Sequence, residues 1–194
     1  MPRIGLDLPT LLQTATDIAD ESGLEAVTLA SVAQKLQIRS PSLYNHVNGL
    51  PDLRRHLAFR GLALLKERFE RALEGKDGDD AVRAFSQAYL SFAREHPGLY
   101  EAIQRAPEPD DDALKQAMGE IVGYAVKALE GYGLRGDPAI HAVRAIRSLL
   151  HGFASLERQG GFGMPLDLDV TFRLMVETFL AGVKAMKDQG GEQG

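Results

Sequence analysis

The apolar residues near the amino terminus recur at helical spacing. Six of them share one face of a predicted first helix: Leu8, Leu11, Leu12, Ala15, Ile18 and Ala19. This pattern stops at Ser22-Gly23, and Thr28 is a good N-cap for a second helix of about two turns. Ser40 and Pro41 begin a third short helix that ends near Val47, because proline is well tolerated at the first helical position.

The rest of the chain also has the periodicity of helices. Pro51 begins a long fourth helix that ends near Gly75, and a polar linker follows at 76–80. Five further helices are predicted at 81–95, 99–105, 110–130, 137–158 and 167–187. No segment alternates apolar and polar residues as a strand does, and there is no internal repeat. The sequence therefore predicts an all-α fold of about nine helices.

Composition changes this picture by excluding several classes of protein. The 194 residues contain no cysteine, which excludes disulfides, thiolate nucleophiles and zinc ribbons and suits a reducing compartment. The first thirty residues lack the pattern of a signal peptide, and no stretch approaches 18 uninterrupted apolar residues. We therefore expect a soluble, cytoplasmic protein with no membrane partner.

Residues typical of enzyme active sites are also missing. None of the five histidines has a helical two-ligand spacing with another, and no nucleophile elbow, phosphate-binding loop or dinucleotide fingerprint occurs. The acidic run at 110–112 is expected at the positive end of a helix rather than at a metal. The sequence predicts no enzymatic activity, no cofactor and no metal site.

The first three helices instead suit DNA binding. Two short helices backed by a third form a helix-turn-helix, whose second helix enters the major groove, although this spacing alone is weak evidence. Polar side chains occupy the non-core positions of that second helix: Ser40, Ser42, Tyr44, Asn45 and His46. Between Glu25 and Asp52 the chain contains Lys35 and Arg39 but no carboxylate. This segment is predicted to bind a phosphate backbone.

A resemblance to a known family rests on these same residues. The segment 28–36, the segment 40–47 with Leu43-Tyr44-Asn45-His46, and the preceding 19–23 resemble the amino-terminal domain of the tetracycline-repressor (TetR) family. The resemblance covers roughly residues 8–57. It implies an all-α homodimer with a helix-turn-helix head that binds double-stranded operator DNA. It also implies a divergent carboxyl-terminal body that binds a small-molecule effector and dimerises.

The resemblance assigns roles to individual residues of the head. Thr28 and Tyr44 become phosphate contacts, and His46 a phosphate contact or a helix cap. Base edges or adjacent phosphates are assigned to Arg39, Ser40, Ser42 and Asn45. Lys35 joins the predicted DNA-binding residues because of its charge in the carboxylate-free segment. Asn45 pairs well with adenine and Arg39 with guanine, whereas the simpler alternative is that Asn45 only solvates the helix end. Leu50 replaces a lysine found in many relatives, so one phosphate contact is expected to be missing.

The expected organisation has three parts. Residues 1–50 form the DNA-binding domain, 51–75 a connecting helix, and 76–190 the ligand-binding and dimerisation domain. Within the last of these, His151-Gly152-Phe153 resembles the signature of a subgroup of the family. The alternative interpretation of the whole chain is a helical module that binds small molecules or proteins and has lost specific DNA binding.

The last two long helices are predicted to form the dimer interface. A head of this type needs two-fold pairing, and two facing helices from each subunit can form a four-helix bundle. The candidate interface residues are apolar: Leu149, Leu156, Phe172, Val176, Phe179 and Val183. Candidate walls of an effector pocket are mostly aromatic or apolar: Tyr89, Phe92, Tyr100, Ile103, Met118, Ile121, Tyr124, His151, Phe153 and Met175. Most residues of these types at helical spacing are ordinary core.

Charge is unevenly divided along the chain. Residues 1–60 contain six basic and six acidic side chains, so the remainder carries all of the net charge of −5. Each charged phosphate contact contributes about 0.9 to the slope of log DNA affinity against log salt concentration. Because the head is neutral, we expect this slope to be no steeper than about −8.

Overall fold

A computed structural model of the protein describes residues 6–105 and 107–190. Eight α-helices lie in these ranges: α1 (Leu8–Ser22), α2 (Leu29–Lys35), α3 (Leu50–Leu73), α4 (Gly78–Glu95), α5 (Pro97–Gln104), α6 (Asp112–Leu129), α7 (Asp137–Arg158) and α8 (Leu168–Gly190). Three 3-10 helices accompany them at Leu24–Ala26, Ser40–Asn45 and Glu130–Tyr132. No strand occurs within these ranges, which confirms the all-α prediction. Residues 1–5 and 106 of the predicted domains lie outside the described residues.

Side-chain caps fix the beginnings of the first two helices. Asp7 accepts a hydrogen bond from the Thr10 backbone at 2.8 Å and caps α1. Thr28 accepts one from the Ser31 backbone at 3.0 Å, and the Ser31 hydroxyl accepts one from the Thr28 backbone at the same distance. This reciprocal capping box explains why α2 begins where the sequence predicts.

The third short helix of the head is a 3-10 helix. It spans Ser40–Asn45, with Pro41 near its start, and the backbone of His46 closes it by donating to the Leu43 carbonyl at 2.9 Å. A segment of six residues with proline near its first position suits the tighter 3-10 winding, which proteins use in short pieces. We call Ser40–Asn45 the recognition segment.

The chain forms two compact units. Of the described residues, unit 1 comprises those within 6–64 and 95–118, and unit 2 those within 65–94 and 119–190, so α3 and α6 each contribute to both. Unit 1 therefore contains α5 and the start of α6 in addition to the predicted head. Its core includes five fully buried leucines: Leu11, Leu24, Leu43, Leu53 and Leu57. The division of the chain at residues 50 and 75 remains a prediction.

Within unit 1, α1 and α5 meet at a glycine. A Cβ on Gly98 would lie 2.2 Å from the backbone carbon of Ala19, so no larger residue fits there without movement. The Asp20 carboxylate accepts hydrogen bonds from the Gly98 backbone at 2.8 Å and the Leu99 backbone at 3.3 Å. The His96 ring nitrogen Nδ1 lies 3.1 Å from its other oxygen. The end of α1 thus caps the first turn of α5.

Unit 2 has an aromatic core and a network of surface ion pairs. Phe153 packs against Phe172 with ring centroids 5.0 Å apart and against Phe162 at 5.1 Å. The guanidinium of Arg94 on α4 binds Glu157 on α7 at 2.7 Å and Asp169 on α8 at the same distance. These contacts join α4, α7 and α8. None of the helices in the described ranges is apolar over the length that crossing a bilayer requires.

Candidate DNA-binding site

The recognition segment has an inner and an outer face. Leu43 and, just beyond the segment, Val47 are buried in the core of unit 1. Ser42, Tyr44 and Asn45 point outward, and Tyr44 is 60% exposed although it is a large aromatic residue. Two buried anchors therefore hold a surface of one hydroxyl, one phenol and one amide. All three groups can donate hydrogen bonds to phosphates or base edges.

Thr28 has a structural role in addition to its predicted contact with DNA. Its hydroxyl lies 3.1 Å from the Ser31 hydroxyl and accepts from the Ser31 backbone as the cap of α2. The Ser31 hydroxyl in turn lies 2.9 Å from the carbonyl of Ala26. The Thr28 side chain is exposed, so the same hydroxyl that caps α2 is also accessible for the predicted phosphate contact.

Two carboxylates, those of Glu21 and Asp7, lie closer to the predicted DNA-binding residues than the sequence suggested. Lys35 forms an ion pair of 3.1 Å with Glu21 on α1. The Thr10 hydrogen bonds lower the pKa of Asp7, and an electrostatic interaction with His46 acts in the same direction. Both acidic residues precede the carboxylate-free segment between Glu25 and Asp52, so that segment did not reveal them. The packing of α1 brings them near the predicted DNA-binding residues.

Arg39 is the one described cation of residues 6–60 without a partner among the described residues. It is exposed at the start of the recognition segment. The other four are each engaged: Lys35 with Glu21, Arg54 with Glu25, Arg55 with Asp111, and Arg60 with Gln13. Arg39 is therefore the guanidinium most available to a phosphate or a guanine.

Arg54 and Arg55, together with Arg105, lower the pKa of their acidic partners. Hydrogen bonds from Arg105 and Arg54 lower the pKa of Glu25, and those from Arg55, at 2.6 and 2.9 Å, lower the pKa of Asp111. Groups with a lowered pKa stabilise the fold above their unfolded pKa and lose that contribution as the pH falls through the folded value. Acid is therefore expected to loosen these contacts within unit 1.

Leu50, where a lysine contact was expected to be missing, is the first residue of α3 and is half-buried. The Asp52 carboxylate accepts a hydrogen bond from the Asn48 backbone at 2.8 Å and so orders the turn before this helix. The turn after the recognition segment thus has an acidic cap and an apolar residue.

Comparison with known proteins places this geometry in a family. Residues 82–179 match the family model described as the tetracyclin repressor-like, C-terminal domain. The uncharacterized HTH-type transcriptional regulator YobS of Bacillus subtilis is 38% identical over 183 residues, which cover 94% of this chain and 95% of that protein. The chain belongs to the TetR family. This membership in a family of HTH-type transcriptional regulators confirms the prediction of a regulator rather than an enzyme.

Solved structures share the TetR fold. A Rhodococcus protein of unknown function superimposes with a TM-score of 0.80 at 22% identity, covering 94% of this chain and 98% of its own. A TetR variant from Acinetobacter baumannii, in complex with minocycline, gives a TM-score of 0.69 at 22% identity and the same coverages. These superpositions cover 94% of the TetR-family chain and show that it shares a known fold.

The predicted effector residues of this TetR-family chain are divided between the two units. Tyr100, Ile103 and Met118 belong to unit 1, and the other seven to unit 2. The Tyr124 ring lies tilted against Phe69 with centroids 5.8 Å apart, and its hydroxyl donates to Glu70 at 2.7 Å. Three cavities within the units have volumes of about 540, 480 and 620 Å³, and none of the ten residues lines them. The effector pocket remains a prediction.

The predicted dimer residues differ in how much surface they expose within one protomer. Phe172, Val176, Phe179 and Val183 of α8 are buried within the protomer, because this apolar stripe packs into the core of unit 2. They have almost no surface left for a partner. Leu149 and Leu156 of α7 are exposed, as a dimer contact requires. On α8 the exposed apolar side chains are instead Val170 and Leu174.

Proposed function

We propose that this TetR-family regulator binds a palindromic operator as a homodimer and represses transcription until a small, largely apolar effector releases it. The observation that carries this proposal is the recognition segment, where buried Leu43 and Val47 present Ser42, Tyr44 and Asn45 to solvent. We place this segment in the major groove, with Arg39 and Asn45 at base edges and Tyr44 on a phosphate. The cytoplasmic location belongs to the same proposal.

Exposed apolar side chains support a dimer through α7 and α8. The described residues include ten exposed large hydrophobic side chains, of which six lie between 149 and 174: Leu149, Leu156, Met164, Leu166, Val170 and Leu174. Gly152 on α7 and Gly182 on α8 lie inside helices, and a Cβ on either would meet nothing within 4 Å. Helix-interior glycines are costly unless another backbone comes close. The second copy of the chain is the partner that supplies this approach in the proposed four-helix bundle.

An effector acts in this proposal through linkage. A ligand that prefers one arrangement of the body lowers operator affinity by the ratio of its affinities for the two states. The related TetR variant that binds minocycline supports a small-molecule role for the fold. We also propose that the chain belongs to the subgroup with the His151-Gly152-Phe153 signature.

A second candidate function is a sensor that no longer binds specific DNA. It is favoured by the single unpaired cation of the described head, Arg39, and by the half-buried Leu50. Selection of bound sequences from a random DNA library distinguishes the two functions. One two-fold-symmetric motif supports the regulator, and no enrichment from a folded dimer supports the sensor.

Replacement of Tyr44 by Ala is expected to weaken binding to that selected motif at least tenfold. The variant loses a hydrogen bond to a charged phosphate, which contributes about 1.5–3 kcal/mol at each half-site. Its thermal stability is expected to remain that of the wild type, since the side chain is mostly exposed. Fluorescence anisotropy with labelled operator measures the effect, and Tyr44→Phe separates the hydroxyl from the ring. Unchanged affinity in Tyr44→Ala would contradict the proposed contact.

Salt dependence tests Arg39 separately. In Arg39→Gln the slope of log affinity against log salt is expected to become shallower by about 1.8, since the dimer loses two charged contacts at about 0.9 each. Arg71→Gln is the matched control, because Arg71 is an exposed arginine at the end of α3, outside unit 1. An equal slope for wild type and Arg39→Gln would exclude a phosphate contact by Arg39. A wild-type slope steeper than about −8 would contradict the modest salt dependence expected from the neutral head.

A further inference from the structure

A surface groove between α6 and α7 is not explained by DNA binding or dimerisation. It has a volume of about 480 Å³, within the range of small-molecule sites, and lies entirely within unit 2. Its apolar lining includes Val126, Leu134 and Val143, and its rim includes Lys127 and Arg135. We call it the α6–α7 groove.

The exposed hydrophobic residues of the protein single out this region. Of the ten large ones among the described residues, Tyr44 belongs to the recognition segment and six belong to the proposed dimer face. The remaining three are Val122, Val126 and Ile140. Val126 lines the groove, Val122 precedes it by one helical turn, and Ile140 lies between two lining positions of α7. This third apolar surface has no assigned partner.

A glycine keeps one wall of the groove open. Gly123 lies in the interior of α6, and a Cβ there would meet nothing within 4 Å. Glycine destabilises a helix interior relative to alanine, and no contact within the described protein requires it here. Its absent side chain leaves space beside Val126 for an apolar group from outside the chain.

The charges at the rim favour an anion. Lys127 and Arg135 form no ion pair or hydrogen bond with any described residue, so both charges are available to a ligand. Glu130 also lines the groove and pairs with neither cation. The rim is therefore net positive in a chain whose net charge is −5. A guanidinium and an ammonium at the edge of an apolar groove suit a carboxylate with a hydrocarbon body.

We propose that the α6–α7 groove binds medium-chain organic monocarboxylates, with the carboxylate between Lys127 and Arg135 and the chain along Val126 and Val143. This site differs from the predicted effector pocket, because none of the ten predicted effector residues lines it. The proposal holds whether or not the head binds DNA.

Calorimetric titration of the full-length protein with decanoate, in the absence of DNA, tests the site. We expect binding to the wild type and at least a tenfold weaker affinity in Gly123→Phe, which fills the groove. The variant Lys127→Gln/Arg135→Gln changes two exposed side chains and is expected to fold normally and to lose affinity to a similar degree. Decanol, which lacks the charge, is expected to be insensitive to this double variant.

Matched controls locate the bound probe. Gly119→Phe places the same ring one turn earlier on α6, outside the groove lining, and Arg71→Gln removes an unpaired charge elsewhere; both are expected to bind decanoate as the wild type does. Circular dichroism verifies that each variant is folded. Equal affinity in wild type, Gly123→Phe and the double variant would overturn the proposal, since decanoate would then bind elsewhere. Failure of the wild type to bind millimolar decanoate would also overturn it.

Discussion

Replacing Gly152 by Glu is expected to convert the protein from a dimer to a monomer and to reduce operator affinity by about 100-fold or more. The reduction follows because a dimer binds its second half-site at the high effective concentration that the first contact creates. A Cβ at Gly152 meets nothing within 4 Å in the protomer, so the glutamate causes no clash within a single chain. In the proposed four-helix bundle the same side chain would place a charge and added bulk between two apolar surfaces.

Sedimentation velocity at micromolar protein measures the oligomeric state, and anisotropy with the selected operator measures affinity. Gly119→Glu is the matched control. It introduces the same residue at another helix-interior glycine where a Cβ meets nothing within 4 Å, outside α7 and α8. The control is expected to remain a dimer. A dimeric Gly152→Glu with normal operator affinity would show that the two copies associate through a different face.

Replacing Gly98 by Ala is expected to lower the free energy of unfolding by about 2–3 kcal/mol. The added methyl group would lie 2.2 Å from the Ala19 backbone carbon and 2.4 Å from its carbonyl oxygen, and neither atom can move without shifting α1. Overpacking of this kind typically costs about 1–3 kcal/mol, and a backbone contact belongs at the upper end. The same shift would weaken the hydrogen bonds from the start of α5 to Asp20.

Urea unfolding at a fixed protomer concentration, followed by circular dichroism, measures this change. Gly119→Ala gives the opposite expectation, a gain of about 0.5–1 kcal/mol, because alanine is the better helix former where space is open. The contrast isolates packing from helix propensity. A Gly98→Ala variant as stable as the wild type would mean that α1 and α5 separate readily.

Helix positions in this chain could be predicted because local signals define them. The cap at Thr28, Pro41 at the start of a short helix and Gly23 after α1 act over a few residues, and the structure places helix ends close to them. The choice of 3-10 winding for the recognition segment has no such signal. A short segment with proline near its start is compatible with either an α-helical or a 3-10 turn, and its buried Leu43 fits both.

What a helix face contacts could not be predicted from periodicity alone. The residues from Phe172 to Val183 were predicted as a dimer interface from their apolar stripe, but a stripe does not distinguish burial by a partner from burial by the chain's own core. The same limit applies to Lys35, whose partner Glu21 is 14 residues away and is brought near only by tertiary packing. Exposure of Leu149 and Leu156 likewise depends on which face α8 covers.

The capping of α5 by Asp20 has a consequence for protein engineering. Because the end of α1 supplies hydrogen bonds to Gly98 and Leu99, the compact unit that contains the recognition segment is not contiguous in sequence. A chimera that exchanges only residues 1–50 with another family member would separate this carboxylate from the helix it caps. Transplanting a new DNA specificity therefore calls for exchange of 95–118 as well. The alternative is a donor that has Asp at the position of Asp20 and Gly at the position of Gly98.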